Sequence, residues 1–518
     1  MALRRSCIAL SMTAVLAAAT LALAQAPQSQ PAAPAPYQTL VKEGKFADGL
    51  KASEEALAKN PADAEASYWK VKALMGLGRY KEAAVLAVPL ASKYPDRPEF
   101  RYLAGRCAFE MGFYAQAAQM WSALYGDAQW RELAYRSSIQ ALLAQGKRTE
   151  AAKLVNEALA KFEKPTKDLL ELSLEVNDDV AQGIKALDAL AQVDPADKED
   201  YSALKQLYLA AGSGRLFDEA PTTSYPLTIP LKEKSEFRDF SGLTWGGDST
   251  TTVTASSKVV VPVSANGAKD KWMLLDSGSS VLLVSPYFVK ELGLEPVSTA
   301  RYVGMGFKGE QKSSWVMIKS LKVGGLSLSN VPAMVIGKDA EFFKEVGGII
   351  PLSLFRRHAA LYDRRHDKFV LNAPGTPPAS VMGSGAFTVK SLWLSGKPFV
   401  ETTIQDKPGL FCLVDTGAYT TFIAWDKLDP LGIRLKSTMG TATGSGLSGA
   451  FHSGVADNVK VLLGTALFNM PTVQVTDIGG GYGVDCYGIL GRNVLDLFQI
   501  FFDPSSNVVA FSPYEKGR

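Results

Sequence analysis

The sequence predicts a multidomain chain, with an N-terminal all-α helical-repeat solenoid followed by an all-β region of two similar lobes. Three observations lead to this fold class. Glycines recur every 34 residues in the first half, at Gly44, Gly78, Gly112 and Gly146. A short aspartate motif occurs twice in the second half, 139 residues apart, with similar residues downstream of each copy. The runs around these copies are short and rich in β-branched residues, which is typical of strands.

The first residues of the chain are typical of an export signal. Residues 1–24 combine Arg4 and Arg5, an apolar stretch and the small-residue string Ala22-Leu23-Ala24, which predicts a cleaved secretory signal peptide. An uncleaved membrane anchor is the alternative. Residues 25–36 form a Pro/Ala/Gln linker without periodicity. No later uncharged apolar run has spanning length, so we expect a secreted, periplasmic protein with no membrane span in the mature chain.

Charge and composition limit the kinds of partner. The formal net charge of the 518 residues is +3, or +1 without Arg4 and Arg5, which argues against nucleic acid. The mature chain keeps an odd number of cysteines, Cys107, Cys412 and Cys486, so it is not a disulfide-built scaffold. The three histidines show no metal-ligand spacing, and we expect no cofactor or metal.

The period of 34 includes more than the glycines. An aromatic residue or arginine follows each glycine by two positions, and a small residue follows it by five. With Pro61 and Pro95, this pattern resembles the tetratricopeptide repeat over residues 37–215. The resemblance implies helix–turn–helix units that stack into a concave face, which docks a peptide, a partner protein or a second subunit. A scaffold that only caps or spaces the following domain is the alternative.

Large aromatic residues of the repeats are expected in the core between helices rather than in a binding groove. They are Trp69, Tyr102, Trp121 and Tyr135. Residues 216–255 mix Gly, Pro, Ser and Thr with short β-like runs. They are interpreted as a connector whose strands pair with the sheets that follow.

The second half is interpreted as one unit present twice, in residues 256–376 and 377–518. The string Leu274-Leu275-Asp276-Ser277-Gly278 corresponds to Leu413-Val414-Asp415-Thr416-Gly417. Similar strings keep nearly the same offset downstream, which chance rarely produces. Examples are Leu292-Gly293-Leu294 with Leu431-Gly432-Ile433, and Gly348-Ile349-Ile350 with Gly488-Ile489-Leu490.

Each copy resembles the half-lobe of pepsin-like and retropepsin-like aspartic proteases, through Asp-Ser/Thr-Gly and a later apolar-apolar-Gly string. The resemblance implies that Asp276 and Asp415 are the catalytic pair and meet across a pseudo-twofold axis. Two carboxylates at that distance share one proton, so one acts as base and the other as acid on a water molecule. The substrate would be a peptide or protein. The implied active-site support residues are Ser277, Gly278, Ser279, Thr416 and Gly417.

The same resemblance gives the support residues separate roles. Ser277 and Thr416 are expected to hydrogen-bond across the lobe interface, and Gly278 and Gly417 to permit the sharp turn after each aspartate.

The two aspartates are expected to differ. Ser279 can offer its hydroxyl to Asp276, whereas Ala418 has no donor for Asp415. Because a hydrogen bond to a carboxylate lowers its pKa, we expect the shared proton to reside mainly on Asp415 and the pH optimum to be mildly acidic.

Three further features belong to this interpretation. Gly-rich stretches at 303–309 and 443–449 are candidate flaps over the cleft. Pro351 stands where the family usually has glycine, which raises the alternative of an inactive homologue. Cys412 and Cys486 are expected to be close in space, either bonded or as free thiols.

The sequence therefore predicts a secreted aspartic endopeptidase preceded by tetratricopeptide-like repeats that dock a partner or substrate. One alternative is a catalytically inactive, aspartic-protease-like protein that binds peptides and acts as an interaction scaffold. Another is a protease for which the repeats form an inhibitory cover.

Overall fold

The computed structural model describes residues 35–222, 224–235, 257–302, 311–336, 346–443, 450–478 and 486–514. The predicted signal peptide and both candidate flaps, apart from Thr443, lie outside these residues. Within the described part, the chain forms two compact units that divide between Leu172 and Ser173. No helix described there is long and apolar enough to cross a membrane.

The first unit consists of helices connected by short turns. Its helices are α1 (Pro36–Lys42), α2 (Phe46–Lys59), α3 (Ala64–Gly76), α4 (Tyr80–Lys93), α5 (Pro98–Glu110), α6 (Tyr114–Ser122), α7 (Arg131–Ala144) and α8 (Arg148–Lys161). A further helix, α9 (Lys167–Val176), spans the division between the units. This arrangement confirms the predicted helical-repeat fold class.

The recurring glycines make the turn inside each pair of helices. Gly44, Gly78, Gly112 and Gly146 all have φ between 70° and 77°. Side chains with a Cβ rarely adopt this left-handed conformation, so the repeat keeps glycine where the first helix of a pair ends. The period of 34 is thus the period of one backbone turn.

The aromatic residues of the repeats lie mainly in the core, as predicted. Trp69, Trp121 and Tyr135 are 5% exposed or less. Trp121 donates its indole N–H to the Tyr102 carbonyl at 3.1 Å, and its ring lies against the Tyr102 ring. These rings therefore hold successive helices together.

The second unit begins with helices that pack on a β-sheet. Helices α10 (Val180–Val193) and α11 (Lys198–Ala211) follow α9, and the Lys319 ammonium donates to the carbonyl of Ala210 at the end of α11. Asp178, between α9 and α10, accepts from Arg356 Nη2 at 2.7 Å and Arg357 Nη2 at 3.3 Å. Asp178 is 8% exposed, so its charge is compensated mainly by these arginines.

We expect Asp178→Asn to lower the free energy of unfolding of this unit by about 2 kcal/mol, because it removes the charge that two guanidinium groups face. Asp188→Asn is the matched control, since Asp188 pairs with Lys205 near the surface and should cost less than about 1 kcal/mol. Urea unfolding of both variants measures the difference. Equal losses would show that the Asp178 contacts have no special weight.

Three sheets form the rest of the second unit. The first sheet has the order β1 (Asp218–Glu219), β9 (Leu326–Val335), β6 (Leu283–Val284), β10 (Gly348–Pro351), β5 (Lys271–Asp276), β4 (Ser257–Ala265), β8 (Gln311–Val323) and β7 (Ser298–Tyr302), with β3 (Lys232–Ser235) paired to β4. A second sheet has the order β14 (Ser391–Leu394), β15 (Lys397–Ile404), β16 (Lys407–Val414), β21 (Cys486–Leu490), β17 (Phe422–Ala424), β20 (Ala466–Thr476), β19 (Ala450–Leu463) and β18 (Leu435–Thr443). Short helices α12 (Pro286–Glu291), α13 (Leu428–Leu431) and α14 (Arg492–Leu495) lie between strands.

The third sheet takes strands from both lobes. Its order is β13 (Phe387–Val389), β23 (Val508–Pro513), β22 (Phe498–Asp503), β11 (Ala359–Asp363), β12 (Lys368–Asn372) and β2 (Leu227–Pro230). Strand β11 of the first lobe pairs antiparallel with β22 of the second, with Leu361 opposite Phe501. The connector contributes β2, and its β1 and β3 pair with strands of the first sheet.

The two lobes repeat one arrangement of strands around the aspartate motifs. In the first lobe β10 runs parallel to β5, with Ile350 opposite Leu275. In the second lobe β21 runs parallel to β16, with Leu490 opposite Val414. The all-β, bilobal fold class predicted from the duplicated sequence is thereby confirmed.

Candidate active site

Two buried strands bring the motif aspartates to the centre of the second unit. Met273, Leu274 and Leu275 are at most 3% exposed, and β5 ends at Asp276 directly after them. Strand β16 ends at the buried Val414, and Asp415 follows. The apolar run of each motif therefore fixes where each carboxyl group leaves its sheet.

Ser277 and Thr416 join the loops of the two lobes by four hydrogen bonds. The Ser277 hydroxyl donates to the Val414 carbonyl at 2.7 Å, and the Thr416 hydroxyl donates to the Leu275 carbonyl at 3.0 Å. Each hydroxyl also accepts the backbone N–H of the other residue, at 2.9 and 3.0 Å. Because both side chains are buried, these reciprocal bonds hold the two loops in one register.

Gly278 and Gly417 lie where the carboxyl group of the opposite lobe approaches the backbone. A Cβ at Gly278 would lie 2.5 Å from Asp415 Cγ, and one at Gly417 would lie 2.5 Å from Asp276 Cγ. Neither glycine is among the residues with positive φ. The sharp turn expected from the sequence is therefore not what requires glycine here; the requirement is space for the other aspartate.

Each aspartate accepts two backbone hydrogen bonds from its own loop. Asp276 Oδ1 accepts from the N–H groups of Gly278 and Ser279 at 2.8 and 3.0 Å. Asp415 Oδ1 accepts from Gly417 and Ala418 at 2.8 and 3.1 Å. The two carboxyl groups also interact by a side-chain hydrogen bond. We call Asp276 and Asp415 the dyad.

Comparison with known families agrees with this geometry. Residues 261–350 and 400–494 match the family model described as aspartyl protease. The all-β half has the aspartyl protease fold. Residues 40–107 match a tetratricopeptide repeat model. Among solved structures, an aspartic proteinase from Irpex lacteus is 14% identical and covers 56% of this chain and 98% of its own, with a TM-score of 0.35. No curated protein matches the chain.

The two carboxyl groups of the aspartyl protease half differ in their surroundings. Asp415 is 8% exposed, whereas Asp276 is half-buried. Burial, and then the neighbouring Asp276 carboxylate, raise the pKa of Asp415 from 3.8 to about 8, against the lowering effects of the Gly417 N–H and the Lys258 ammonium. The shared proton therefore resides on Asp415.

The reason expected for this difference was wrong. The Ser279 hydroxyl donates to the Val281 carbonyl at 2.9 Å and so is turned away from Asp276, which receives the Ser279 backbone N–H instead. A serine hydroxyl has one proton, and the nearby carbonyl takes it. Asp415 holds the proton because it is buried, not because Ala418 lacks a hydroxyl.

Pro351 fits the strand that it ends. It lies opposite Asp276 in the parallel pairing of β10 with β5. In the second lobe, Gly491 follows β21, and a Cβ there would lie close to the Thr420 backbone. The first lobe therefore accommodates proline without losing the strand pairing at Asp276.

The cysteines of the described part of the chain are free thiols, namely Cys107, Cys412 and Cys486. Cys412 and Cys486 lie on the paired strands β16 and β21 and interact electrostatically. Burial raises the pKa of the Cys412 thiol to about 12 and that of Cys486 to about 11.

We expect these three thiols to resist alkylation in the folded protein and to react fully after unfolding, because a buried thiol rarely becomes the reactive thiolate. Mass spectrometry of iodoacetamide-treated protein, without reductant, measures the labelled sites. A pair that stays unlabelled after denaturation would show a disulfide between Cys412 and Cys486.

Lys258, which the sequence analysis did not single out, extends from β4 of the first lobe to the loop of the second. Its ammonium donates to the Gly417 carbonyl at 2.8 Å and lies 3.7 Å from the centre of the Tyr419 ring. It stands in a valine-rich strand without any motif, so no local signal marks it. In the described residues, no group of three or more His, Cys, Asp or Glu could hold a metal ion.

Proposed function

We propose that the chain is an aspartic endopeptidase in which the Asp276/Asp415 dyad activates water for peptide-bond hydrolysis. The observation that carries the proposal is the meeting of the two carboxyl groups at loops joined across the lobes by Ser277 and Thr416. Such a pair is suited to hold one proton and one negative charge, which water activation requires.

The different surroundings of the aspartates assign a role to each. Asp276 acts as the base and takes a proton from water as the water oxygen attacks the scissile carbonyl carbon. Asp415, which holds the shared proton, donates it to the carbonyl oxygen as negative charge develops there. The tetrahedral intermediate then breaks its C–N bond, and the leaving nitrogen takes up a proton from the dyad. No covalent intermediate is needed.

The working pH follows from the Asp415 carboxyl group. Because its pKa is raised to about 8, the dyad keeps its single proton at neutral pH. This supports activity at neutral as well as mildly acidic pH.

We further propose that the protein is exported to the periplasm and that its repeats dock a partner or substrate protein. The signal-like residues 1–24 and the match to tetratricopeptide repeats support these two points. Hydrogen-exchange protection of residues 36–172 on addition of a cleaved protein substrate would test the docking role.

The test of catalysis is a diverse peptide library, incubated with the full chain at acid and neutral pH. The double variant Asp276→Asn/Asp415→Asn serves beside it. Cleavage by the wild type alone supports the endopeptidase. Peptides that bind both proteins but are cleaved by neither would instead favour the inactive, peptide-binding scaffold.

A further inference from the structure

Lys258 brings a positive charge from one lobe to the active-site loop of the other. Its side chain is largely buried, and its ammonium contacts the Gly417 carbonyl and the face of the Tyr419 ring. A cation over an aromatic face recovers part of the interaction energy that the ammonium loses on leaving water. The lysine is therefore held in one place beside the dyad.

The carbonyl that Lys258 contacts belongs to the peptide unit whose N–H serves Asp415. The Gly417 carbonyl and the Ala418 N–H are two ends of one planar amide, and that N–H donates to Asp415 Oδ1 at 3.1 Å. A cation at the carbonyl end polarises the amide and strengthens its N–H as a donor. Lys258 thus reaches Asp415 through a covalent unit as well as through space.

We propose that Lys258 is a positioning residue of the dyad: its ammonium orients the Gly417–Ala418 peptide and favours the state in which one carboxylate is ionised. Its consequence for turnover rests on the proposed peptidase function, but its effect on the carboxyl groups does not. With the ammonium charged and the dyad carrying one negative charge, the group of three is close to electrically neutral, which lowers the cost of burying it.

The charged groups around Lys258 oppose one another. Burial lowers the pKa of Lys258 to about 8, while the Asp276 and Asp415 carboxylates act to raise it and the Arg492 guanidinium acts to lower it. Arg492 is itself bound to Asp496, with Nη2 to Oδ2 at 2.6 Å. The lysine should therefore lose its charge near the pH at which Asp415 loses its proton, so the three groups titrate together.

The experiment follows the carboxyl group of Asp415 directly. The full chain carries aspartate labelled with ¹³C at the carboxyl carbon, and the Asp415 resonance is assigned by its loss in Asp415→Asn. We expect Lys258→Met to move the titration of this resonance upward by about one pH unit, because a nearby cation is lost. Lys258→Arg, which keeps the charge, should titrate near the wild type.

Two further variants control for structure. Lys322→Met removes an exposed lysine of β8 in the same lobe and should leave the titration unchanged. Lys258→Gln replaces the methionine variant if that variant does not fold. An unchanged titration in the uncharged variants would overturn the proposal, and so would an equal shift in Lys258→Arg, which would assign the effect to disturbed packing.

The titration needs no substrate, so it decides the role of Lys258 even if the wild type cleaves no peptide; that result would contradict the peptidase alone. If peptides are cleaved, both limbs of the kcat/KM profile should move to higher pH in Lys258→Met.

Discussion

Asp415→Asn is expected to abolish peptide cleavage and, at the same time, to make the folded protein more resistant to unfolding near neutral pH. The loss in kcat/KM should be at least about 10³-fold, because the amide can neither hold nor donate the shared proton. The gain in stability arises because the amide does not ionise in a buried position beside Asp276.

The pH range of the stability effect follows from the raised pKa of Asp415. The folded protein holds this proton up to about pH 8, whereas an ordinary aspartate releases it near 3.8. The contribution of the carboxyl group to stability is thus complete below pH 3.8 and is lost as the pH rises through 8. Thermal unfolding at several pH values should show the Tm of Asp415→Asn exceeding that of the wild type increasingly over this range.

Asp406→Asn is the matched control for this prediction. Asp406 is exposed in the two-residue turn between β15 and β16, where it has φ of 62°. Asparagine suits that turn, so activity and its pH dependence should be retained. Cleavage that persists in Asp415→Asn would contradict the dyad mechanism, and a Tm difference that does not depend on pH would contradict the proton assignment.

The second large effect is expected from adding one carbon atom at Gly417. In Gly417→Ala, the new Cβ would lie 2.5 Å from Asp276 Cγ, so the loop or the carboxyl group must move. We expect kcat/KM to fall by at least about 10²-fold, since small displacements of catalytic groups are costly. The free energy of unfolding should fall by about 3 kcal/mol, as in other overpacked cores.

Gly385→Ala separates this clash from the general effect of replacing glycine. A Cβ at Gly385 would meet Pro513 at 3.6 Å, which is ordinary van der Waals contact. Activity and stability should stay near the wild-type values. If Gly417→Ala behaves like Gly385→Ala in both assays, the close approach of the two lobes does not hold in solution.

The positions of the two aspartates could be predicted because each motif encodes its own local structure. The apolar run determines a buried strand, and the aspartate follows where that strand ends. The duplicated offset then indicates that the two ends meet. By contrast, the use of the Ser279 hydroxyl depends on a carbonyl two residues away, and the residue types in the motif do not show which acceptor it chooses.

Features that depend on distant parts of the chain could not be predicted in this way. Lys258 reaches Gly417 only because β4 of one lobe faces the loop of the other. The helical pattern continues to residue 215, yet contacts group α10 and α11 with the β-sheets, partly through Asp178 and its two arginines. Neither contact leaves a local or periodic trace in the sequence.

The sheet shared by the two lobes has a consequence for how the protein is made. Strand β11 lies early in the all-β half, but its neighbour β22 comes from residues 498–503, near the end of the chain. During synthesis, one edge of β11 and β12 must wait unpaired until those last strands leave the ribosome, and an unpaired edge readily joins the wrong strand. Translation must therefore be almost complete before the first lobe can mature, and any truncation near the C-terminus would leave it unfinished.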